Sequence, residues 1–412
     1  MSETKLNKSE IIHFIERVSA LYITISYNAG SVLLHSLFDG HPQVIAFPRL
    51  WGWYNRIYDN LDQAIRGGQT AMVETIMNSG LLLPYAPTDP DVPIDQERYR
   101  RTLQSLLDLH PPTSRRELVA LYHLALAIIL GYDIKAIRYI ILHDHTPGGT
   151  LFEQIRADFP DPKIIIPLRD PRQACVGPVG QSSKVFLRKT LFKGQSLVAN
   201  LKKVARQPMQ SKAAAESSPA RKLLLPFKKA TSLLWLALSP RARAVAFCAQ
   251  LNYDALGFFL RHEHDDMRAT DLNQLHAHGP ESMQKLCQWL SIDFADGLLH
   301  STFLGNTWWG NSSNQQKLSG FDPRRAAFTF QDKLAPDLLQ ELEFFSENAL
   351  RFFGQPSPVT QPPTETEEAR LRRIYARLFK IAQWYPYKAS IEDILALDRR
   401  FANRQLDPRV MV

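Results

Sequence analysis

The fold of this chain is decided by one stretch of sequence, Leu21-Tyr-Ile-Thr-Ile-Ser-Tyr-Asn-Ala-Gly-Ser-Val-Leu-Leu-His-Ser-Leu-Phe-Asp-Gly-His-Pro42. Its first residues, Leu21 to Ile25, are apolar and partly β-branched, which is typical of a buried parallel strand. Gly30 permits a backbone conformation that other residues resist, and Ser31 is placed to cap the following helix. The stretch predicts a strand, a loop and a helix whose N-terminus offers backbone N–H groups to an anion. An ordinary strand-to-helix turn in an α/β domain is the alternative.

Composition limits the class of protein. The 412 residues suffice for one large α/β domain with additions or for two domains, and 45% hydrophobic with 22% charged residues indicates a mostly globular chain. The cysteines Cys175, Cys248 and Cys287 are far apart, which argues against a disulfide framework or a zinc site. The first ten residues lack a signal-peptide pattern, and no apolar run is long enough for a transmembrane helix. We therefore expect a cytoplasmic protein.

Positive charge is concentrated in one segment. Residues 184–243 contain 14 Lys and Arg and one acid, a net charge of +13, whereas the whole chain carries +8. Prolines divide this segment into short pieces, and residues 210–219 have the composition of a linker. The segment predicts either peripheral attraction to an anionic membrane surface, or a solvated insertion or lid. Since no nucleic-acid motif accompanies it, no nucleic-acid partner is expected.

Two further strands are each followed by ionisable residues. The apolar run Arg138 to Leu142 leads into His143-Asp-His-Thr-Pro147, and Lys163 to Leu168 leads into Arg169-Asp-Pro-Arg172. Chemistry in open α/β sheets is expected at the carboxyl ends of the strands. The second segment also suits a plain strand-to-helix turn, because its proline can open a helix.

These segments, in this order, resemble P-loop sulfotransferases, enzymes that use 3′-phosphoadenosine 5′-phosphosulfate. The resemblance covers roughly residues 20 to 325 as five short segments. Asp265 to Leu272 is similar to the Arg-Tyr-Glu-Asp-Leu strand end of that family. Ser301 to Ser313 is similar to a late loop that reads Gly-x-x-Trp-x-Gly-Asn-Ser in many bacterial members.

The resemblance implies that a sulfuryl group is transferred from this nucleotide to a hydroxyl or amine, without a metal. His145 takes the position of the general base. Arg169 would pair with the 3′-phosphate of the nucleotide, with Gly177 at the position of a serine. The loop that would cradle the 5′-phosphosulfate consists of Asn28, Ala29, Gly30, Ser31 and Val32, and the loop that would contact the purine includes Trp308, Gly310, Asn311 and Ser312.

Three positions depart from the family pattern. Asn28 replaces the Lys or Arg beside the leaving phosphate oxygen, Val32 replaces a second hydroxyl residue, and Gly177 replaces the serine. The alternative is therefore a catalytically weakened or inactive member that acts as a nucleotide- or partner-binding module. The expected acceptor is a small molecule, a glycan or a lipid.

The predicted architecture is α/β, a three-layer P-loop sulfotransferase-like fold with a mainly parallel central sheet, a helical insertion and a C-terminal helical extension. Helices are predicted for Arg115 to Leu130 and Pro336 to Phe353, among others. The predicted boundaries are an N-terminal tail or helix in residues 1–19, the core in 20–183 and 244–353, the basic insertion in 184–243, and a linker with a helical extension in 354–412.

Overall fold

The structure is a computed structural model that describes residues 6–24, 28–49, 57–83, 88–89, 94–144, 151–180, 253–263, 265–310, 319–354, 364–366, 369, 372 and 390–412. The chain forms two compact units. The first comprises Met1–Arg169, Asp254–Phe328 and Gln405–Val412, and the second comprises Asp170–Tyr253 and Thr329–Arg404. The basic insertion predicted for residues 184–243 lies outside the described residues.

The first unit alternates strands with helices, the pattern of an α/β domain. Its elements in chain order are α1 (Lys8–Arg17), β1 (Ser19–Ile23), α2 (Ser31–Phe38), β2 (Val44–Ile45), α3 (Ile57–Arg66), α4 (Gly68–Met77), β3 (Thr88–Asp89), α5 (Gln96–Leu109), α6 (Arg115–Leu130), β4 (Tyr139–His143), α7 (Phe152–Asp158) and β5 (Lys163–Leu168). After α8 of the second unit they continue with α9 (residues 253–262), β6 (Met267–Asp271), α10 (Leu272–Ala277), α11 (Gly279–Leu290), a 3₁₀ helix (Asp296–Leu299), β7 (Thr302–Phe303), β8 (Asn306–Trp308) and a second 3₁₀ helix (Pro323–Arg325).

All regular secondary structure in the described residues of the second unit is helical. Its helices are α8 (Pro171–Gly180), α12 (Phe330–Lys333), α13 (Pro336–Phe352) and α14 (Ile391–Arg399). The last of these belongs to the predicted C-terminal helical extension. No helix in the described ranges of either unit is both long and apolar enough to cross a membrane.

The central sheet contains five parallel strands in the order β2-β4-β1-β5-β6. The middle strand β1 pairs with β4 from Ser19 opposite Tyr139 to Ile23 opposite His143. Beyond β6, Ala269 exchanges backbone hydrogen bonds with Val410 and Val412, so the last residues of the chain extend this edge. The predicted α/β class with a parallel central sheet is confirmed.

Helices cover both faces of the sheet. On one face, Leu21 and Ile23 belong to an apolar core that includes buried residues of α2 and α11. On the other face, the ring of Tyr22 lies 5.0 Å from that of Phe152 in α7 and 5.9 Å from that of Phe258 in α9. The three layers follow from the alternation of side chains along a strand buried on both sides.

The predicted element boundaries agree with the structure to within a few residues. α6 and β5 have the predicted bounds, and α13 ends one residue early. The strand predicted for Leu21 to Ile25 begins two residues earlier, at Ser19, and ends at Ile23. Ser19 joins the strand because its backbone N–H donates to Arg138 O at 2.9 Å, a long-range pairing that sequence periodicity does not contain.

The longest helix of the second unit is interrupted and capped from another helix. α13 has a non-helical residue at Ser346, where φ is −143°. Just after this break, the carboxylate of Asp398 in α14 accepts hydrogen bonds from the backbone N–H groups of Asn348 at 3.2 Å and Ala349 at 3.0 Å. Asp398 therefore satisfies N–H groups that the break leaves without carbonyl partners, as an N-cap residue does.

We predict that Asp398→Ala lowers the free energy of unfolding by about 1–3 kcal/mol, because buried N–H groups lose their acceptor. The measurement is chemical denaturation followed by circular dichroism. Glu392→Ala is the matched control, since Glu392 is exposed on the same helix. Equal losses of unfolding free energy in the two variants would show that the Asp398 cap does not stabilise α13.

Candidate functional site

The carboxyl ends of four of the five parallel strands, β4, β1, β5 and β6, lie side by side at one end of the sheet. β1 is followed by Thr24, β4 by Asp144, β5 by Arg169 and β6 by Leu272. β1 lies between β4 and β5. Because these two neighbours lie on opposite sides of β1, the order of the strands in the sheet reverses beside it. Open parallel sheets bind ligands at such a crevice.

The loop after β1 enters α2 through left-handed backbone. Asn28 has φ of +50° and Gly30 has φ of +87°. A Cβ atom on Gly30 would lie 2.5 Å from Cδ1 of Leu272, the first residue of α10. The left-handed backbone therefore favours glycine at this position, and any other residue would also have to displace the Leu272 side chain.

Ser31 does not cap α2, contrary to the prediction. It is the first residue of the helix and is buried, while Gly30 occupies the N-cap position without a side-chain hydrogen bond. The carbonyl of Gly30 accepts from Leu34 N at 2.9 Å, so the helical ladder starts at the glycine. Gly30 offers no side-chain acceptor at this end, and the N-terminus of a helix carries a partial positive charge that attracts anions.

The structure brings the predicted phosphate-binding arginine next to the loop. Nη1 of Arg169 donates a hydrogen bond to the backbone carbonyl of Asn28 at 2.9 Å. Arg169 is half-buried, whereas Asn28 is exposed. The predicted sites for two phosphate groups are thus joined by one hydrogen bond, although 140 residues separate them in sequence.

The second arginine of the Arg-Asp-Pro-Arg segment has a different role. Arg172 belongs to the second unit and is fully buried. Its guanidinium lies 2.7 Å from the carboxylate of Asp170 and 2.8 Å from that of Glu343, and over the ring of Phe330. These contacts make Arg172 part of an internal charge network that holds α8, α12 and α13 together.

The late segment predicted as a loop forms a β-hairpin. β7 and β8 are joined by Leu304 and Gly305, both with positive φ, as a two-residue hairpin turn requires. The carboxylate of Asp39 accepts from Thr302 Oγ1 at 2.8 Å and from Gly305 N at 2.9 Å. Asp39 is the C-cap residue of α2, so the hairpin is fastened to the end of α2 opposite Gly30.

Trp308, predicted to contact a purine, is 4% exposed and packs against Phe303 with ring centroids 5.5 Å apart. Gly310 follows with φ of +77°. Asn311 and Ser312 lie outside the described residues. Ala29 lies in the loop and is buried. Val32 lies in α2 and packs against the apolar core.

No contact in the described part of the chain places His145 or Gly177 beside the loop. His145 lies outside the described part of the chain, which stops at Asp144 before this segment. Gly177 is within α8 of the second unit. Their predicted roles stay predictions.

A buried histidine pair at the end of β4 was not predicted. Nε2 of His35 lies 2.9 Å from the carbonyl oxygen of Phe47, which can only accept, so Nε2 carries the hydrogen of the neutral ring. Nδ1 of His35 then accepts from Nδ1 of His143 at 2.9 Å. Burial lowers the pKa of His35 to about 4, which keeps the ring neutral near pH 7.

A second unpredicted histidine lies among charged residues. Nδ1 of His276 in α10 accepts from the backbone N–H of Asp322 at 3.2 Å. Burial, followed by the positive charges of Arg325 and Arg169, lowers the pKa of His276 to about 4. Sequence spacing gives no signal for this group, because its charged neighbours come from two segments far from it in sequence, at Arg169 and at residues 322–325.

These residues suit anion binding better than metal binding. The described ranges contain no group of three His, Cys, Asp or Glu that could hold a metal ion. They do contain a helix N-terminus at Gly30 and a guanidinium 2.9 Å from the loop carbonyl. Arg324, in the second 3₁₀ helix, is exposed and is paired with Asp322 at 2.9 Å.

We predict that Gly30→Ala destabilises the protein more than Gly40→Ala. Both glycines have positive φ, but a Cβ on Gly40 meets nothing within 4 Å, so only the backbone strain of about 1–2 kcal/mol applies there. At Gly30 the overlap with Leu272 should add about 1–3 kcal/mol. Chemical denaturation of both variants measures the difference.

A double mutant of Gly30 and Leu272 supplies the control for this prediction. If overlap with Leu272 is the cause, Gly30→Ala should cost less in a Leu272→Ala background, with a coupling of about 0.5–3 kcal/mol. Equal losses at Gly30 and Gly40, or no coupling to Leu272, would contradict the proposed contact.

Comparison with known proteins gives one distant likeness. The chain matches no family model and no curated protein. Among solved structures, it is similar to a sulfotransferase domain from the curacin biosynthetic pathway, with 17% sequence identity and a TM-score of 0.36 over 86% of this chain and 96% of that domain. At this distance the likeness establishes neither a family nor an activity for this chain.

Proposed function

We propose that this chain is a sulfotransferase that takes a sulfuryl group from 3′-phosphoadenosine 5′-phosphosulfate. The observation that carries the proposal is the hydrogen bond of 2.9 Å from Arg169 to the carbonyl of Asn28. It joins a guanidinium at the end of β5 to an anion-binding loop at the end of β1, the two sites that a nucleotide with phosphates at its 3′ and 5′ positions needs.

The 5′-phosphosulfate would lie at the N-terminus of α2. Gly30 leaves no side chain between the loop backbone and the ligand, and Ser31 begins the helix whose N–H groups face this end. Asn28 and Ala29 form the preceding turn, and Val32 is the next residue of the helix. Backbone N–H groups and the helix dipole would supply the positive potential there.

The 3′-phosphate would pair with Arg169. A guanidinium can bind a phosphate through two parallel hydrogen bonds, while its Nη1 also keeps the loop carbonyl of Asn28 in place. Arg169 would then act on both ends of the nucleotide. Its charge beside the loop partly replaces the cation that Asn28 lacks.

The reaction would be an in-line displacement at sulfur. The acceptor hydroxyl or amine gives its proton to a base, for which we propose His145, and forms a bond to sulfur. The bond between sulfur and the phosphate oxygen breaks, and adenosine 3′,5′-bisphosphate leaves. The chain's contribution to this step is to position both groups and to stabilise the charge on the leaving oxygen.

A nucleotide- or partner-binding module is the second candidate function. It is favoured by Asn28, Val32 and Gly177, each of which lacks a polar or charged group expected in a sulfotransferase. Loss of one preorganised charge typically costs about 2.7–4 kcal/mol of transition-state stabilisation, so slow turnover and no turnover are both compatible with binding.

The acceptor and the cellular setting belong to the proposal as well. We propose a small-molecule, glycan or lipid acceptor, and no nucleic-acid partner. The basic segment of residues 184–243 would bring a cytoplasmic protein to an anionic membrane surface by attraction between opposite charges.

Adenosine 3′,5′-bisphosphate should stabilise the folded protein, by about 2.7 kcal/mol at a hundredfold excess over its Kd, because it binds the native state alone. Arg169→Ala should weaken binding by about 1.5–3 kcal/mol through loss of a charged hydrogen bond. Thermal unfolding with and without nucleotide measures both effects.

Arg324→Ala is the matched control, since its guanidinium is exposed and paired with Asp322. It should keep nearly all of the nucleotide-induced stabilisation. A wild-type protein whose melting temperature does not change at saturating nucleotide would refute the nucleotide assignment, and equal effects of the two arginine variants would refute the role of Arg169.

Turnover separates the enzyme from the binding module. His145→Ala should lower the transfer rate about 10²–10⁴-fold while nucleotide binding persists, because the base acts on the acceptor. Asn28→Lys should raise the rate, although the φ of +50° at this position costs lysine about 1 kcal/mol more than asparagine. Release of bisphosphate from the donor nucleotide is the measurement.

The two variants test different parts of the mechanism. Unchanged turnover in His145→Ala would remove His145 as the base. Nucleotide binding without turnover, in the wild type and in Asn28→Lys, would favour the binding module.

A further inference from the structure

His276 lies where α10 packs against the second 3₁₀ helix, Pro323–Arg325. It belongs to α10, and its Nδ1 accepts from the backbone N–H of Asp322 at 3.2 Å. Arg325, in the same 3₁₀ helix that follows Asp322, has its Nε 3.9 Å from the carboxylate of Asp322. Asn273, also in α10, donates from Nδ2 to Ala326 O at 2.9 Å, so the two helices are fixed together.

The same short helix touches the proposed nucleotide loop. Leu272, one helical turn before His276, is the residue that leaves no space for a side chain on Gly30. Arg169 reaches the loop from the other direction through its hydrogen bond to Asn28. α10 therefore approaches the loop at Gly30 through Leu272, and Arg169 reaches it at Asn28.

Burial, together with the charges around it, keeps the His276 ring neutral in the free protein. His276 is 5% exposed, and its pKa is lowered to about 4 first by burial, then by Arg325 and Arg169, while Asp322 acts in the opposite direction. Asp322 is itself engaged by Arg324. The balance of the groups that face the ring is thus positive.

The tautomer of His276 is set by its one backbone contact. Because Nδ1 accepts a hydrogen bond, the hydrogen of the neutral ring is on Nε2, which can donate. In the described part of the chain, no residue accepts from Nε2. A bound anion could take this hydrogen bond, and its negative charge would offset the two guanidinium groups that oppose protonation.

We propose that His276, with Arg169 and Arg325, makes anion binding at this site proton-linked: the imidazole takes up a proton when a phosphate group binds beside the two guanidinium groups. This rests on the proposed function for the identity of the ligand. Binding of the nucleotide, and release of the bisphosphate product, would then depend on pH through His276. By linkage, affinity rises as pH falls through the range in which the complex is protonated and the free protein is not.

A proton count tests the proposal. Calorimetric titration with adenosine 3′,5′-bisphosphate in two buffers of different ionisation enthalpy gives the protons taken up on binding, near pH 6 where histidine ordinarily titrates. His276→Gln keeps a neutral hydrogen-bonding side chain but cannot take up a proton. The wild type should take up more protons than His276→Gln, by as much as one per nucleotide, and subtraction cancels the protons bound by the nucleotide itself.

His278→Gln is the matched control, because His278 is exposed two residues away and should leave the wild-type proton count unchanged. Equal proton uptake by the wild type and His276→Gln would overturn the proposal while nucleotide binding still supports the proposed function. If His276→Gln fails to fold, His276→Asn, which keeps an acceptor near the position of Nδ1, takes its place.

An NMR titration of the wild-type histidines distinguishes a failure of the proton-linked site from a failure of the proposed function. Saturating nucleotide should raise the pKa of His276, and an unmoved pKa would overturn the proposal. If the nucleotide does not bind, the same titration with pyrophosphate decides: a raised pKa of His276 upholds the proton-linked anion site with a different ligand, whereas no change refutes it together with the proposed function.

Discussion

The close contact between Gly30 and Leu272 is the constraint on which the candidate site depends. It joins the loop after the middle strand β1 to the helix after the edge strand β6, two positions separated by β5. Because Gly30 is left-handed and has no side chain, α2 can begin at this point with its N–H groups free of a capping side chain. A side chain at this position would have to displace the side chain of Leu272, the first residue of α10.

The Arg-Asp-Pro-Arg segment shows how one sequence motif can hold two unrelated functions. Arg169 is half-buried and turns to the loop at Asn28, whereas Arg172 is fully buried between Asp170 and Glu343. Removing a buried charge partner generally costs several kcal/mol of stability, while removing a partly exposed one costs less. Loss of function at Arg172 would therefore report unfolding, and only Arg169 can report on the ligand.

Sequence patterns predicted the parts of the fold that depend on local periodicity. The apolar runs gave β5 and α6 with their observed bounds, and glycine at position 30 indicated the left-handed turn. Sequence patterns predict a loop at residues 302–308 and miss the hairpin, because its strands are only two and three residues long and are fixed by Asp39 far away in sequence. His276 was missed for the same physical reason, since burial and charge come from neighbours that no spacing rule connects.

In our proposal, Arg169 supplies positive charge beside the loop, where its guanidinium bonds the backbone carbonyl of Asn28 at 2.9 Å. Burial, and then the charges of Arg325 and Arg169, disfavour a proton on His276 in the free protein. The neutral histidine adds no further repulsion to these guanidinium groups while no anion is bound. In our proposal, the positive charge is completed by a proton that arrives with the anion, so the site carries its full charge only when a ligand is present to balance it.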